Sequence, residues 1–398
     1  MNILRIVYDW PDENVITEGL APAPYELSKA QTKLGHFVFV LCGNLNGKNL
    51  KAKRFRVFIK QHFIEVFNLP RAIKGLGPFF TTSLFIVPSY FYLKFKNKID
   101  IVHNHGHLGV WFLLYKYLFG FIDKTPVVGH FHITAKGRER AILNQGSQIS
   151  FLSRFVEYPI HKYSDWLMTK VCSHLIVVGE NIADELIEFY NIDRKYIHLV
   201  ESGVDSDRFV NHGEKVDFGF DKSAIITLNI GRLSKRKNID ILVAAIAKLP
   251  EEYKLVLCGE WDEYFKKKVD QLILSLKLSK RVKYIGKISY FDIDKYFRSA
   301  EVFCLPSSYE GLPKVVLEAL SSGCKVIASG FRVERGIPDL VFLSDISADA
   351  VAEKIVEASK NDSNYEKTKV VINDFYSWDK KAHQVEQVYK TVLNSNNG

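Results

Sequence analysis

The chain has 398 residues, 47% of them hydrophobic and 25% charged, with a formal net charge of +9. That length holds two to three domains with full cores, and the balance of apolar to charged residues excludes a long disordered chain. The cationic excess points to a polyanionic partner (nucleotide phosphates, nucleic acid or an anionic membrane surface) without choosing among them.

Met1 to Tyr8, M-N-I-L-R-I-V-Y, reads as a strand and lacks the basic start, apolar run and cleavage site of a signal peptide. The loop D-W-P-D-E-N-V-I-T-E-G-L follows, then a helix from about Pro24 to Leu34 and a strand from Phe37 to Leu41. This is a βαβ start to a doubly wound sheet, with Gly19 at the strand end where such sheets bind ligands. Lys48 to Lys60 is dense in Lys and Arg, and Phe79 to Lys98 and Trp111 to Phe121 mix aromatics with lysines. That mixture suits an interfacial helix on anionic lipid or core helices with snorkelling lysines. No nucleic-acid motif accompanies it. Phe79 to Leu93 is the most apolar stretch and falls short of the about 20 residues that span a bilayer.

Ile99 to His107 and Val127 to His132 are strands ending in histidines: His103, His105, His107, His130 and His132. A metal is one reading of five histidines, but the spacings come from two strand ends without an obvious acidic ligand, and no metal is assigned. Arg138, Glu139 and Arg140 read as a polar loop, Leu175 to Val178 as a strand, Asn181 to Tyr190 as an amphipathic helix and Ile197 to Val200 as a last short strand. Cys42, Cys172, Cys258, Cys304 and Cys324 are odd in number and form no C-x-x-C pair, which reads as reduced thiols in a cytoplasmic protein. Asp205-Ser206-Asp207 and Asp292-Ile293-Asp294 are D-x-D patterns, short enough to arise by chance.

Asn211 to Lys222 is polar and reads as an interdomain linker. A strand from Ala224 to Ile230 runs into G-R-L-S-K-R-K-N, Gly231 to Asn238, which opens a helix. Arg232 and Lys237 beside a helix start can offset the charge of a diphosphate, whereas Lys235 and Arg236 read as solvated. Strands from Lys254 to Cys258, Val282 to Ile285 (ending in Gly286) and Val302 to Leu305 follow. Ser307 to Ala328 then reads S-S-Y-E-G-L-P-K-V-V-L-E-A-L-S-S-G-C-K-V-I-A. A loop feeds a helix there, with Pro313 near its first position and a phosphate-binding N-terminus. Glu310 in the loop and Glu318 about two turns along are acceptors, suited to the hydroxyls of a ribose or hexose rather than to phosphate.

The frame E-G-(L/F)-P-x-x-x-x-E-A-(L/M)-x-x-G around Glu310 and Glu318 resembles the signature of retaining, nucleotide-sugar-dependent glycosyltransferases of the GT-B fold. G-R-L-x-x-x-K at Gly231, G-V-D-x-x-x-F at Gly203 and the S-W opening of the last helix at Ser377 are similar to the same family. The resemblance implies an α/β fold of two Rossmann-like doubly wound domains facing across a cleft. Residues 1–205, with a returning helix 376–398, form the acceptor side, and 206–375 bind the nucleotide sugar. It implies His132, Arg232, Lys237 and Glu310 as catalytic groups. Gly19, Gly231, Arg232, Lys237, Gly286, Glu310, Gly311, Leu312, Pro313 and Glu318 would bind the donor, with no metal or cofactor. His130 is expected to be structural, and His103 and His105 to brace the acceptor side. The chain departs from the pattern at Glu18, Ser202, Asn238 and Lys325, and between Ser329 and Asp345 it lacks a Gly-rich loop.

The partners expected are a nucleotide-sugar donor, a glycan or lipid-linked acceptor and an anionic membrane surface, in envelope polysaccharide or glycolipid synthesis at the inner face of the cell membrane. Three rivals stay open. An epimerase or phosphorylase on the same fold needs acidic groups for proton abstraction or a Schiff-base lysine. A non-catalytic relative would be expected to lose Lys237 or a glutamate, and a basic membrane-surface protein needs no donor motif.

Overall fold

The computed structural model describes residues 1–11, 22–43, 53–69, 82–144 and 153–395. Glu18, Gly19 and residues 48–52 lie outside the described residues. The chain forms two compact units: Met1–Leu143, Gln148–Glu201 and Trp378–Gly398 in the first, Asn144–Ser147 and Ser202–Ser377 in the second.

The first unit runs β1 (Asn2–Val7), α1 (Pro22–Lys33), β2 (Phe37–Gly43), β3 (Lys53–Ile59), β4 (His62–Leu69), α2 (Ile86–Lys96), β5 (Ile101–His105), α3 (Val110–Phe119), β6 (Val127–Phe131), α4 (Ala135–Asn144), α5 (Tyr158–Val171), β7 (His174–Val177), α6 (Glu180–Tyr190) and β8 (Ile197–Leu199). Its sheet has the order β3-β4-β2-β1-β5-β6-β7-β8. All pairings are parallel except β3 with β4. Continuous apolar runs such as Ile3, Leu4, Ile6 and Val7 form the central strands because helices cover both faces of a parallel sheet.

The second unit runs β9 (Ile225–Ile230), α7 (Ile239–Ala247), β10 (Tyr253–Cys258), α8 (Glu263–Ser275), β11 (Val282–Gly286), α9 (Ile293–Phe297), β12 (Val302–Pro306), α10 (Lys314–Ser321), β13 (Lys325–Ser329), β14 (Leu340–Phe342), α11 (Ala348–Lys360) and α12 (Tyr365–Val371). Its all-parallel sheet is ordered β11-β10-β9-β12-β13-β14. The last helix, α13 (Trp378–Ser395), belongs to the first unit. Its Trp378, Val385, Val388, Tyr389 and Val392 share one core with Ala23, Leu27 and Ala30 of α1. Two parallel α/β units are what the resemblance implied.

Three local readings are corrected. Lys53–Ile59 is an edge strand, not a helix: alternate residues Arg54 and Arg56 share one face and pair with the buried carboxylate of Glu65 on β4. Arg138, Glu139 and Arg140 lie on helix α4 rather than in a loop. That helix is capped by Asp165, which accepts from the Ala135 N–H at 2.7 Å, and by the Thr134 hydroxyl, which accepts from Gly137 N–H at 2.9 Å. Asn211 to Lys222 lies inside the second unit and is fastened to it. Val216 N–H donates to Ser299 Oγ at 2.7 Å, and the Lys283 ammonium to Phe218 O at 2.7 Å.

Candidate active site

In the second unit, β9 lies between β10 and β12, so the chain order reverses there, where doubly wound sheets bind ligands. The loops after β9 and β12 leave from that point and are tied together. Ser308 N–H donates to Arg236 O at 2.9 Å. Asn238 Nδ2 donates to Pro306 O at 2.7 Å and to Ser308 Oγ at 2.9 Å. Asn238 is left-handed, φ 50° and ψ 43°, which explains how asparagine stands where the family pattern has glycine.

Gly231 has φ +143°, and a Cβ on it would come within 2.5 Å of Lys237 Nζ. The missing side chain therefore makes room for the Lys237 ammonium, which is itself buried. Lys237 Nζ lies 3.9 Å from Glu310 Oε1. Glu310 Oε1 also meets Arg236 Nη1 at 2.8 Å and accepts from Ser307 Oγ at 3.0 Å. Burial alone would raise the Glu310 carboxyl, but Arg236 and Lys237 outweigh it and hold it below its usual range. Burial pulls Lys237 down, with Glu310 opposing. Arg236 is thus not the solvated residue its sequence context suggests: it also donates to Tyr309 O and clamps the Glu310 loop. Arg232 is exposed and makes no ion pair or hydrogen bond among the described residues.

Helix α10 begins at Lys314 with Pro313 as its N-cap, so Pro313 precedes the first turn and Glu318 sits just past one turn, not two. Glu318 is 2% exposed. Its Oε1 accepts from Lys314 Nζ at 2.7 Å, while Oε2 is buried without a partner. The N–H groups of Gly311 and Leu312 find no backbone acceptor among the described residues. Ser202 Oγ donates to Leu312 O at 2.9 Å, fixing the loop. Gly286 closes β11 at φ +93° and its carbonyl accepts from Gly259 N–H at 2.8 Å. The Asp294 of one D-x-D is taken by Arg298 at 2.6 Å and Arg208 at 3.3 Å. Lys314 escaped sequence reasoning, although its i, i+4 spacing to Glu318 was a usable signal.

In the first unit, His103 and His105 on β5 and His130 on β6 are buried, with His132 half-buried just beyond β6. Tyr389 of α13 lies 2.5 Å from His103 Nδ1. His103 Nε2 lies 3.1 Å from His130 Nδ1, and His105 Nδ1 3.3 Å from His132 Nε2. Burial pushes all four well below the usual imidazole range, His132 to about 3. The ligand atoms of His103, His105 and His130 lie within 4.8 Å of one another, close enough for a metal. However, the buried guanidinium of Arg5 sits 2.7 Å from His105 Nε2, and the hydrogen bonds above engage both His103 nitrogens. A dication there would face a fixed positive charge. Arg5 was legible as an anomaly, a cation inside a strand buried on both faces.

The chain matches the family model described as glycosyl transferases group 1 over residues 213–373, and Glycosyltransferase Family 4 over residues 19–208. It is 24% identical to an uncharacterized glycosyltransferase of Methanocaldococcus jannaschii across 99% of each chain. Its structure is similar to sucrose-phosphate synthase from Thermosynechococcus elongatus, with TM-score 0.79 and 18% identity over 99% of both chains. It is also similar to Anabaena HepE in complex with UDP and glucose, with TM-score 0.66 and 16% identity over 98% of this chain and 100% of that one. Two parallel α/β units with cations and carboxylates at a switch point are the makings of a GT-B glycosyltransferase. The two family matches, one over each unit, together support a group 1 glycosyltransferase.

Proposed function

We propose that the chain transfers a sugar from a nucleoside-diphosphate sugar to a hydroxyl of a glycan or lipid-linked acceptor, with retention at the anomeric carbon and without a metal. The observation that carries the donor reading is Glu318. A carboxylate oxygen buried without a partner is costly, and the two vicinal hydroxyls of a ribose would satisfy it. Lys237, Arg232 and the N–H groups of Gly311 and Leu312 receive the diphosphate, and Glu310 holds sugar hydroxyls. Within the first unit, His132 is the group suited to hold a sugar hydroxyl. In the reaction the bond from the anomeric carbon to the diphosphate oxygen breaks as the acceptor oxygen bonds to that carbon on the same face. The acceptor proton passes to the departing phosphate oxygen, so no enzymic base is required. Fixed cations and N–H groups matched to the growing diphosphate charge typically contribute about 10²-fold or more each. The rivals on this fold lack support: among the described residues the carboxylates of Glu310 and Glu318 are held by Arg236 and Lys314, and Lys237 and both glutamates, which a non-catalytic relative would be expected to lose, are present.

The acceptor reading rests on a surface of the first unit. Ring contacts run from Phe91 of α2 through Tyr115 to Phe119, and from Tyr117 of α3 through Trp166 to Tyr163 of α5. Phe95, Phe121 and Ile122 stand 93%, 69% and 70% exposed beside Lys94, Lys96, Lys98 and Lys124. Asp123 clamps the surface, accepting from Tyr90 and pairing with Lys94 and Lys116. Exposed rings bordered by lysines suit the headgroup layer of an anionic membrane. Among the described residues no helix is long and apolar enough to cross a membrane. The test is thermal stabilisation by UDP, GDP and ADP sugars in the presence of EDTA, followed by product analysis on soluble and lipid-linked acceptors. Stabilisation by none of the nucleotide sugars would overturn the donor reading.

A further inference from the structure

We infer that Arg5 heads two hydrogen-bond relays that present His132 Nδ1–H and His130 Nε2–H as donors to one sugar oxygen. The inference rests on the function proposed above only for the identity of that ligand. Arg5 is fully buried in β1, and a guanidinium can only donate. Its Nη1 lies 2.7 Å from His105 Nε2, so that nitrogen is the acceptor. A neutral imidazole has one donor and one acceptor, and the hydrogen bond at one nitrogen sets the proton on the other. His105 therefore carries its proton on Nδ1 and donates to His132 Nε2, 3.3 Å away. His132 in turn carries its proton on Nδ1, which has no partner among the described residues.

The second relay starts from the other guanidinium nitrogen. Arg5 Nη2 donates to Gln31 Oε1, which turns the Gln31 amide N–H toward Tyr389, at 3.3 Å. The Tyr389 oxygen accepts there, leaving its proton for His103 Nδ1 at 2.5 Å. His103 then donates from Nε2 to His130 Nδ1 at 3.1 Å, which places the His130 proton on Nε2. His130 is 5% exposed, and its Nε2 is buried with no partner. The His130 and His132 rings stack at 4.4 Å with 11° between planes, so the two relays end side by side. Burial keeps all four imidazoles uncharged, which the tautomer logic requires. Every member of both relays belongs to the first unit.

The chemical consequence is specific. Two neutral N–H donors accept no proton, so His132 is neither general base nor general acid. They recognise an oxygen with free lone pairs, as a sugar hydroxyl has, and Arg5 acts on it only as a positioning residue. His130, which the sequence marks as structural, becomes a ligand-binding residue.

The experiment is a long-range ¹H–¹⁵N spectrum of protein labelled at histidine, with and without a nucleotide sugar. The expected result is Nδ1–H on His105 and His132 and Nε2–H on His103 and His130. Arg5→Met should let His105 and His132 shift toward the Nε2–H form, whereas Arg5→Lys, which still donates, should restore the native pattern. If Arg5→Met does not fold, Tyr389→Phe tests the second relay by removing the donor to His103. The wild-type spectrum alone overturns the inference if His132 carries its proton on Nε2 or if any of the four is charged at pH 7. Adding whichever of UDP-glucose, GDP-mannose or ADP-glucose binds should move the His130 and His132 protons, while the matching diphosphate alone should not. His130→Leu should lower kcat/KM for that donor about 3- to 10-fold, the effect of one neutral hydrogen bond. Binding without movement of either proton overturns the ligand assignment. Binding of no nucleotide sugar overturns the proposed function and that assignment with it, leaving the tautomers to stand on the spectrum.

Discussion

Arg236→Ala should destabilise the second unit in a way that depends on pH. Arg236 holds the buried Glu310 carboxylate at 2.8 Å, with Lys237 farther away at 3.9 Å. Breaking a fully buried pair costs about 3–5 kcal/mol and an exposed one about 0–1 kcal/mol. The Arg236 side chain is 24% exposed and Glu310 12%, and Lys237 and Ser307 remain after the substitution, so the loss falls near 2 kcal/mol. For a unit of this size that is roughly a 4–8 °C fall in Tm near neutral pH. In the wild type the depressed Glu310 pKa contributes stability that is complete above the unfolded value, about 4.3, and is lost only as pH falls through the folded value below it. Without Arg236, burial dominates and the carboxyl pKa moves up. The variant then takes its proton earlier as pH falls, and the gap between the two proteins narrows from pH 7.5 toward pH 4. Calorimetry across that range reads the effect directly. A gap that does not change with pH would mean that Arg236 acts only through the Tyr309 carbonyl, and no gap at pH 7.5 would refute the clamp.

Glu318→Ala and Lys237→Ala should each abolish transfer while the far-ultraviolet spectrum remains that of the folded protein, with a lower Tm for Glu318→Ala because it strands the largely buried Lys314 ammonium; full activity in both variants would sink the site. The pH profile of kcat/KM should show no ionisation from His132 between pH 5 and 8, because burial holds that imidazole near 3 and a group with a depressed pKa stays neutral above it. A His132→Gln variant that alters an inflection in that range would contradict this. The triple change Phe95→Ser, Phe121→Ser and Ile122→Ser should release the protein from vesicles containing phosphatidylserine and leave transfer to a soluble acceptor unchanged. Equal sedimentation of the two proteins would remove the membrane surface from the proposal.

The fold and the loops after β9 and β12 were legible because their signals are local. Apolar runs broken by Gly231, Gly259 and Gly286 mark strand ends, and the frame from Glu310 to Gly323 marks one helix start. What was not legible depends on pairing across the sheet. Arg236 and Tyr309 are 73 residues apart, and only the adjacency of β9 and β12 brings them together. Spacing within S-K-R-K cannot say which cation turns inward. Lys53–Ile59 misled for a related reason. Its alternating cations look like a membrane-facing surface until β4 supplies Glu65 as their partner. The histidines show the limit most clearly: their type allowed a metal, their spacing from two strand ends argued against one, and neither revealed a hydrogen-bond relay. The choice turns on Arg5, placed beside them by the pairing of β1 with β5.

That placement also explains a division of charge between the units. The second unit gathers Arg232, Arg236 and Lys237 and neutralises part of that charge with Glu310; on the donor reading proposed above, the remaining excess meets the diphosphate. The first unit buries Arg5 within its sheet and surrounds it with neutral imidazoles instead of carboxylates. A carboxylate beside Arg5 would satisfy it more strongly, but it would end the relay at once, because an acceptor-only group passes no N–H onward. Imidazole and phenol groups, each able to accept on one side and donate on the other, carry the direction of the Arg5 hydrogen bonds to the C-terminal end of β6 while leaving that end uncharged. On the reading proposed above, uncharged donors there favour a sugar hydroxyl over a second phosphate, which is the selectivity that a sugar-recognising surface requires.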